Sequence, residues 1–306
     1  MVVEFGRNEI RQALEERTPV VALESAVLTH GLPRPTNRDT VLRMEAAVRE
    51  HGAVPAVVGV IEGRLVIGLR PDQIAYLADH RDVEKASARD LAPLMAAGAS
   101  AGTTVAATLA ACRLSGIRVF ATGGIGGVHR GWVETMDVSA DLEEMAATPC
   151  CVVSSGAKAI LDLPATLERL ESLGVPVVGY QTNAFPMFYS RGSDELLPIS
   201  HRVDTPVQAA EVCRLNWDVL KQPVGVLLCN PVDPDCALPY DEVEQLVKQA
   251  VAAAEDEGVS GQDVTPYLLD VLNRMSDDSR ALKANLALLE SNAALAAQVA
   301  IELAEG

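Results

Sequence analysis

Positive charge is scarce in this chain. Its 306 residues carry 25 Lys and Arg against 42 Asp and Glu, a net charge of −17, and no basic run is interleaved with aromatics. That excludes a nucleic-acid partner, because binding a polyanion needs cations to displace its counterions. No C-x-x-C pair occurs among the six cysteines, Cys112, Cys150, Cys151, Cys213, Cys229 and Cys236. Several of them sit inside apolar runs, which fits packed, reduced thiols rather than a metal or disulfide framework. No uninterrupted apolar stretch reaches the roughly 20 residues of a membrane span. The opening MVVEFGRNEIRQALEER puts charges where a signal peptide needs an apolar core. These absences predict a soluble cytoplasmic protein with no membrane contact.

Composition leaves room for a large core, since 49% of the residues are hydrophobic. With no internal repeat and no low-complexity linker, residues 1–306 are expected to form one domain. Short apolar, β-branched runs alternate with helical patterns. Strands are predicted at Val20–Glu24, Ala56–Ile61, Leu65–Leu69, Ile117–Ala121, Cys151–Ser154, Val175–Tyr180 and Val224–Cys229. The second and third flank a Glu62-Gly63 turn and read as a hairpin. Helices are predicted at Thr36–Glu50, Ala88–Ala97, Val105–Leu114, Leu142–Ala147, Ala165–Leu173 and Pro206–Leu220. Three more follow, over 241–257, 265–275 and 281–304, broken by Gly258, Gly261 and the turn from Ser276 to Ser279. The fold class expected is α/β: a three-layer α/β/α arrangement with a largely parallel central sheet, one hairpin and a helical C-terminal layer.

If the sheet is parallel, the polar residues that follow the strands converge on one edge, where open α/β sheets bind ligands. Those residues are Glu24 and Ser25, the glycine run after Ala121, Gly156 and Lys158, Gln181 and Thr182, and Asn230. The stretch FATGGIGGVHRGWVETMDVSADL is the richest. Its four glycines let backbone N–H groups close on an anion, and His129 and Arg130 add donors. Asp137, Ser139 and Asp141 follow at alternate positions and could hold a hard cation or a polyhydroxylated ligand. A phosphorylated sugar site is the reading that accommodates both halves.

Each candidate also has a plain structural explanation. Lys158, just past a buried strand, is placed to be a desolvated amine nucleophile; it could equally be the solvated first turn of a helix. Glu24 ends an apolar run and could be a general acid of raised pKa, or a strand-end cap. Asp141 with Glu144 has the D-x-x-E spacing of a helix start; Asp137 lies a turn too early for that. One or two carboxylates without a His or Cys cluster suit Mg²⁺ or Mn²⁺ held partly through water. GASAGTTV reads as small residues opening a helix, for anion binding or for close packing. Lys85 could reach the same phosphate or lie on a solvated face beside Arg89 and Asp90. Asn285 and Asn292 share one helix face, where they either bond a neighbouring helix or read a ligand's amide edge.

Taken together, these segments resemble the pseudouridine-5'-phosphate glycosidase family, also called indigoidine synthase A-like. The matching pieces include VVALESAVLTHGLPRP, KASARDL, TTVAAT, ATGGIGGVHRG, DVSADL, SSGAKAILD, VVGYQTNAFPMFYSR, TPYLL and LKANLALLESNAALA, in order from about Val20 to Ala300. The resemblance implies an enzyme that cleaves and forms the C–C bond between C1' of ribose 5-phosphate and C5 of uracil. It further implies a homotrimer with an α/β/α core and a divalent metal, usually Mn²⁺. Lys158 would be the nucleophile, Glu24 the proton donor and Asp137 the metal ligand. Lys85, Val105, Ser139, Ala140 and Asp141 would contact substrate, with Asn285 touching the base.

Some positions depart from the family pattern. Ala26 stands where Asn or Thr is usual, KASARD and GASAGTTV are altered, and PMFYSRGSDEL replaces a P-A-F-Y stretch. The imine and metal positions are intact, so the changes bear on the aglycone, with Met187 expected as an apolar wall beside it. A related activity, joining ribose 5-phosphate to an aromatic polyketide as in alnumycin C-ribosylation, is the alternative. A non-catalytic sugar-phosphate binder is a lesser one, since simple binding has no use for an imine-forming lysine.

Overall fold

The protein was analysed as a computed structural model, which describes residues 3–80, 82–259, 264–276 and 279–305. Its strands are β1 (Val3–Phe5), β2 (Val20–Leu23), β3 (Val54–Ile61), β4 (Arg64–Ile67), β5 (Glu84–Ala86), β6 (Ala101–Thr103), β7 (Val119–Ala121), β8 (Cys151–Ser154), β9 (Val177–Tyr180), β10 (His201–Val203) and β11 (Val226–Cys229). They form one mixed sheet in the order β1-β4-β3-β2-β7-β8-β11-β9-β10, with β6 joined to β3 and β5 joined to β6. The central run from β2 through β7, β8, β11 and β9 to β10 is parallel throughout. The α/β class expected from the sequence is the one observed.

Every residue of β2, β8 and β11 is buried, so helices cover both faces of the sheet centre, as continuous apolar strands require. The helix Arg280–Glu305 packs on β2, β7 and β8 and on helices Thr36–Glu50 and Pro206–Arg214. The helix Val105–Ser115 packs on β2, β3 and β6 and on helix Ala140–Ala146. Arg280–Glu305 is long and apolar enough by composition to cross a membrane. Here it is a core helix, with Ala284, Leu288, Ala296 and Val299 fully buried.

The expected hairpin is present. β3 and β4 pair antiparallel around Glu62 and Gly63, whose φ angles of 47° and 76° match the doubly left-handed turn that suits two-residue hairpins. A second antiparallel pairing was not expected. Ala101–Thr103, read from sequence as part of a helix opening, forms β6 and pairs with Gly59 and Val60 of β3. The helix begins only at Val105, with Thr104 as its N-cap. Gly102 explains the difference, because a Cβ there would collide with Thr29 and with Ser25 O. The small residues let one strand pass close over another.

Strand β3 thereby changes partners along one edge. Val54–Val57 pairs with β2, and beyond the end of β2 the same strand pairs with β6. Ser25 stitches this junction: Thr103 N donates to Ser25 Oγ at 2.9 Å, and Ser25 N donates to Thr103 O at 3.3 Å.

Elsewhere the expected elements recur with adjusted ends. Ala88–Ala97 starts as a 3₁₀ turn and continues as helix Leu91–Ala96; Pro206–Leu220 is helix to Arg214 and then a π turn. The three C-terminal helices run Tyr240–Asp256, Val264–Met275 and Arg280–Glu305. Gly261 and the Asp277-Asp278 part of the expected turn lie outside the described residues. Helices Asn8–Glu15 and Pro71–Asp79 and strands β1, β5 and β10 were not anticipated.

Candidate active site

The adjacent strands β2, β7 and β8 all point the same way, so their C-terminal ends deliver Glu24, the glycine loop from Thr122 and Lys158 to one place. These groups line a cavity of about 900 Å³. Lys85, from the end of β5, joins them, as do His129, Arg130, Asp137, Ser139, Ala140, Asp141 and Asn285. Val105 does not line it. Its side chain is buried in the core, and the neighbouring Thr104 takes its place on the wall. Gln181, Thr182 and Asn230 were expected at this edge and lie outside the lining. Gln181 donates to Asp204 O, Thr182 closes a local turn with Ala184, and Asn230 is spent on the C-terminal helix.

Glu24 is half-buried and accepts a short hydrogen bond from Thr122 Oγ1 on Oε1. Burial raises its pKa above the usual carboxylate range. Lys158, the Thr122 hydrogen bond and Lys85 pull the other way, and Asp141 adds to the rise. A carboxyl with a raised pKa beside a lysine amine is the arrangement that lets one group hold a proton while the other attacks carbon. His129 has its pKa lowered by burial and by the positive Lys158 and Lys85, against the favourable charge of Asp137. Its Nδ1 lies 3.8 Å from Asp137 Oδ2.

Asp141 does not cap its own helix. Ser139 does that, accepting from Asp141 N at 3.3 Å. The Asp141 carboxylate instead accepts from Ala106 N at 2.9 Å on one oxygen and from Gly126 N at 2.7 Å on the other. It ties the start of helix Val105–Ser115 to the glycine loop, where a carboxylate complements the helix N-terminus. Asp141→Asn leaves one of these two donors facing an amide NH₂. A loss of about 1–3 kcal/mol in stability is expected, measured by denaturant unfolding, with slower turnover as the loop shifts.

The glycines serve close packing before anion binding. A Cβ at Gly124 would lie 2.5 Å from the Phe188 ring, one at Gly126 would overlap Ser139, and one at Gly127 would overlap Thr166. The N–H groups of Ile125, Gly126 and Val128 are already taken by Gly156 O, Asp141 and Thr166 Oγ1. Arg130, expected as an anion donor, pairs through both terminal nitrogens with Glu244, at 2.6 and 3.3 Å. It fastens the glycine loop to helix Tyr240–Asp256. That partner is 114 residues away and invisible to local sequence reading.

The two asparagines of the last helix divide their roles. Asn292 is fully buried and donates to Thr122 O at 2.8 Å and Ser155 Oγ at 3.3 Å, while accepting from Asn230 Nδ2 at 3.0 Å. It joins strand ends rather than a neighbouring helix. Asn285 lines the cavity and has no hydrogen-bond partner among the described residues.

The cavity also has apolar lining, which includes Val27, Phe188, Leu289, Val251, Ala254 and Leu268. Met187 is fully buried and outside the lining. Phe188 supplies that wall instead, because its left-handed backbone (φ 54°) turns the ring onto Gly123 and Gly124. Such a conformation costs a non-glycine residue about 1–3 kcal/mol and gathers at working sites. Thr122 and Phe188 are among the lining residues that sequence reading did not single out; Thr122 carried a signal, a hydroxyl directly between a strand and the glycines.

Asp137 is the carboxylate best placed for a cation, with its side chain 42% exposed at the cavity. Among the described residues no group of three or more His, Cys, Asp or Glu could hold a metal ion. That donor set does not fit zinc. It fits a hard, hydrated ion that keeps much of its water shell.

The family profile described as indigoidine synthase A like protein matches residues 9–302. A pseudouridine-5'-phosphate glycosidase of Methylobacterium nodulans is 50% identical over 295 residues, covering 96% of this chain and 86% of its own. One from Caldanaerobacter subterraneus subsp. tengcongensis is 46% identical over 297 residues, covering 97% and 95%. Among solved structures, the prealnumycin C-glycosynthase in complex with ribulose 5-phosphate superposes with a TM-score of 0.90 at 40% identity, covering 100% of this chain and 98% of that one. An indigoidine synthase A-like protein from Thermotoga maritima gives 0.88 at 36% identity, covering 99% and 97%. Similarity of sequence and fold over nearly the whole length establishes that the chain belongs to the indigoidine synthase A-like family.

Proposed function

We propose that this enzyme reversibly cleaves the C–C bond between C1' of ribose 5-phosphate and a planar ring, with pseudouridine 5'-phosphate as substrate. The observation that carries the reading is the meeting of Lys158 and Glu24 in one cavity, the carboxyl carrying a raised pKa beside the amine. Ordinary glycosidases protonate a leaving oxygen with one of two carboxyls. Here the leaving atom is carbon and has no lone pair, so a different electron path is needed. Lys158 Nζ bonds to C1' as the C1'–O4' bond breaks, and the proton that the nitrogen sheds passes to O4'. Glu24 then delivers a proton to C5 of the ring. The nitrogen lone pair forms C1'=N as the C1'–C5 bond breaks, and that bonding pair returns to the protonated ring. Water hydrolyses the imine, freeing ribose 5-phosphate and Lys158.

Lys85, Ser139, Ala140 and His129 would hold the sugar phosphate, with Thr104 in the place expected of Val105, and Asn285 would face the ring. Arg130 and Asp141 act on the shape of the site through Glu244 and the glycine loop. Asp137 would hold a Mn²⁺-like cation, which supplies positive charge to polarise water and hydroxyls. Asp137→Asn is expected to weaken Mn²⁺ binding by roughly 100-fold, the upper end of the range seen for supporting residues of metal sites. Titration followed by electron paramagnetic resonance reads this without any turnover assay. A homotrimer in the cytoplasm completes the proposal, and sedimentation equilibrium reads the stoichiometry.

The test of the activity is release of uracil from pseudouridine 5'-phosphate with Mn²⁺. The apolar lining of the cavity and the glycosynthase neighbour favour a second reading, coupling of ribose 5-phosphate to a larger aromatic acceptor. Failure with uracil alongside a trapped ribose 5-phosphate adduct would select it.

A further inference from the structure

Thr122 makes no covalent contribution to the scheme above, yet it is held through its N–H, its carbonyl and its hydroxyl. It is fully buried at the end of β7. Its N–H donates to Val153 O at 3.0 Å, and its carbonyl accepts from Asn292 Nδ2 at 2.8 Å. Asn292 is held in turn by Asn230 and Ser155. The hydroxyl of Thr122 therefore sits on a frame built from β7, β8, β11 and the last helix, and it donates to Oε1 of Glu24. No protein donor to the other oxygen is recorded among the described residues.

We propose that Thr122 is a positioning residue for proton transfer: by occupying Oε1 of Glu24 it leaves Oε2 as the oxygen that carries the proton to and from the ring carbon. This rests on Glu24 being the acid of the proposed reaction. A carboxyl without such a partner can rotate and present either oxygen, and its proton then arrives in several geometries. A fixed donor removes that freedom.

The same bond makes the assignment measurable. A hydroxyl donating to a carboxylate favours the ionised form. Lys158 and Lys85 act in the same sense on Glu24, and Asp141 and burial oppose them. Removing the hydroxyl therefore raises the pKa of Glu24 further. In cleavage Glu24 must start protonated, so activity falls at high pH, and that limb should move upward. In synthesis it must start ionised, so activity rises from low pH, and that limb should also move upward.

Thr122→Val keeps the β-branched shape and deletes the donor, whereas Thr122→Ser restores it. For Thr122→Val we expect kcat to fall about 10-fold or more in both directions and the Glu24 limb to shift upward by about one pH unit, the scale of a hydrogen bond to a charged group. Thr122→Ser should recover both rate and limb. Glu24→Gln, run in the same assay, separates the two claims. If it is inactive while Thr122→Val keeps the wild-type rate and limb, the positioning role is overturned and the acid assignment stands. Equal losses in Thr122→Val and Thr122→Ser with an unmoved limb would also overturn the role, since that pattern reports packing alone. If Glu24→Gln turns over normally, the acid assignment falls and this inference falls with it.

Discussion

Lys158→Arg is expected to stop turnover, by roughly 10⁴-fold or more, the scale on which removal of a covalent or general-base partner acts. The substitution keeps a positive charge in the cavity, so the field felt by Glu24 changes little. A guanidinium stays protonated at any working pH and forms no imine. Sugar-phosphate binding should persist while the adduct disappears. Borohydride reduction with ribose 5-phosphate, followed by peptide mapping, should place a reduced sugar adduct on Lys158 in the native protein. An adduct on Lys85, with Lys158 unmodified, would defeat the assignment, since both lysines reach the same cavity.

Glu24→Gln should lower kcat by about 10²–10⁴-fold, the range typical of general acid–base groups. The amide is nearly isosteric and can still accept from Thr122, so adduct formation on Lys158 should continue. The pH profile should change in kind as well as height. The native enzyme should lose cleavage activity as pH rises through the raised pKa of Glu24, because only the protonated carboxyl donates. In the glutamine variant nothing titrates at that position, and the limb should flatten. A variant with native turnover would show that another group carries the proton.

How much of this was readable in the residues follows from where the information lies. Buried parallel strands need uninterrupted apolar, β-branched runs, so β2, β7, β8 and β11 were visible, and with them Glu24 and Lys158 at their ends. β5 and β10 read Glu-Lys-Ala and His-Arg-Val. Apart from Val203 nothing in these triplets favours an extended strand; their neighbours impose it. β6 was misread because its small residues suit a helix start and a close strand crossing equally well. At the site, one residue decided the error over Met187. A left-handed turn at Phe188 reverses which of two adjacent side chains faces the cavity, and no periodicity argument sees that coming. Arg130 and Asp141 were noticed for their charge, whereas their partners, Glu244 and the amides of Ala106 and Gly126, emerge only when distant segments meet.

The buried amide of Asn292 also says something about the chain while it is being made. The ends of β7, β8 and β11, of which the first carries Thr122 into the cavity wall, are joined through a side chain of helix Arg280–Glu305. A ribosome that has completed all the central strands has still not delivered the group that locks them together. Until residue 292 emerges, the carbonyl of Thr122 lacks the partner it has in the folded chain. The frame behind Glu24 is therefore completed by the docking of helix Arg280–Glu305 on strands made before it, an order that follows from the chain's own direction.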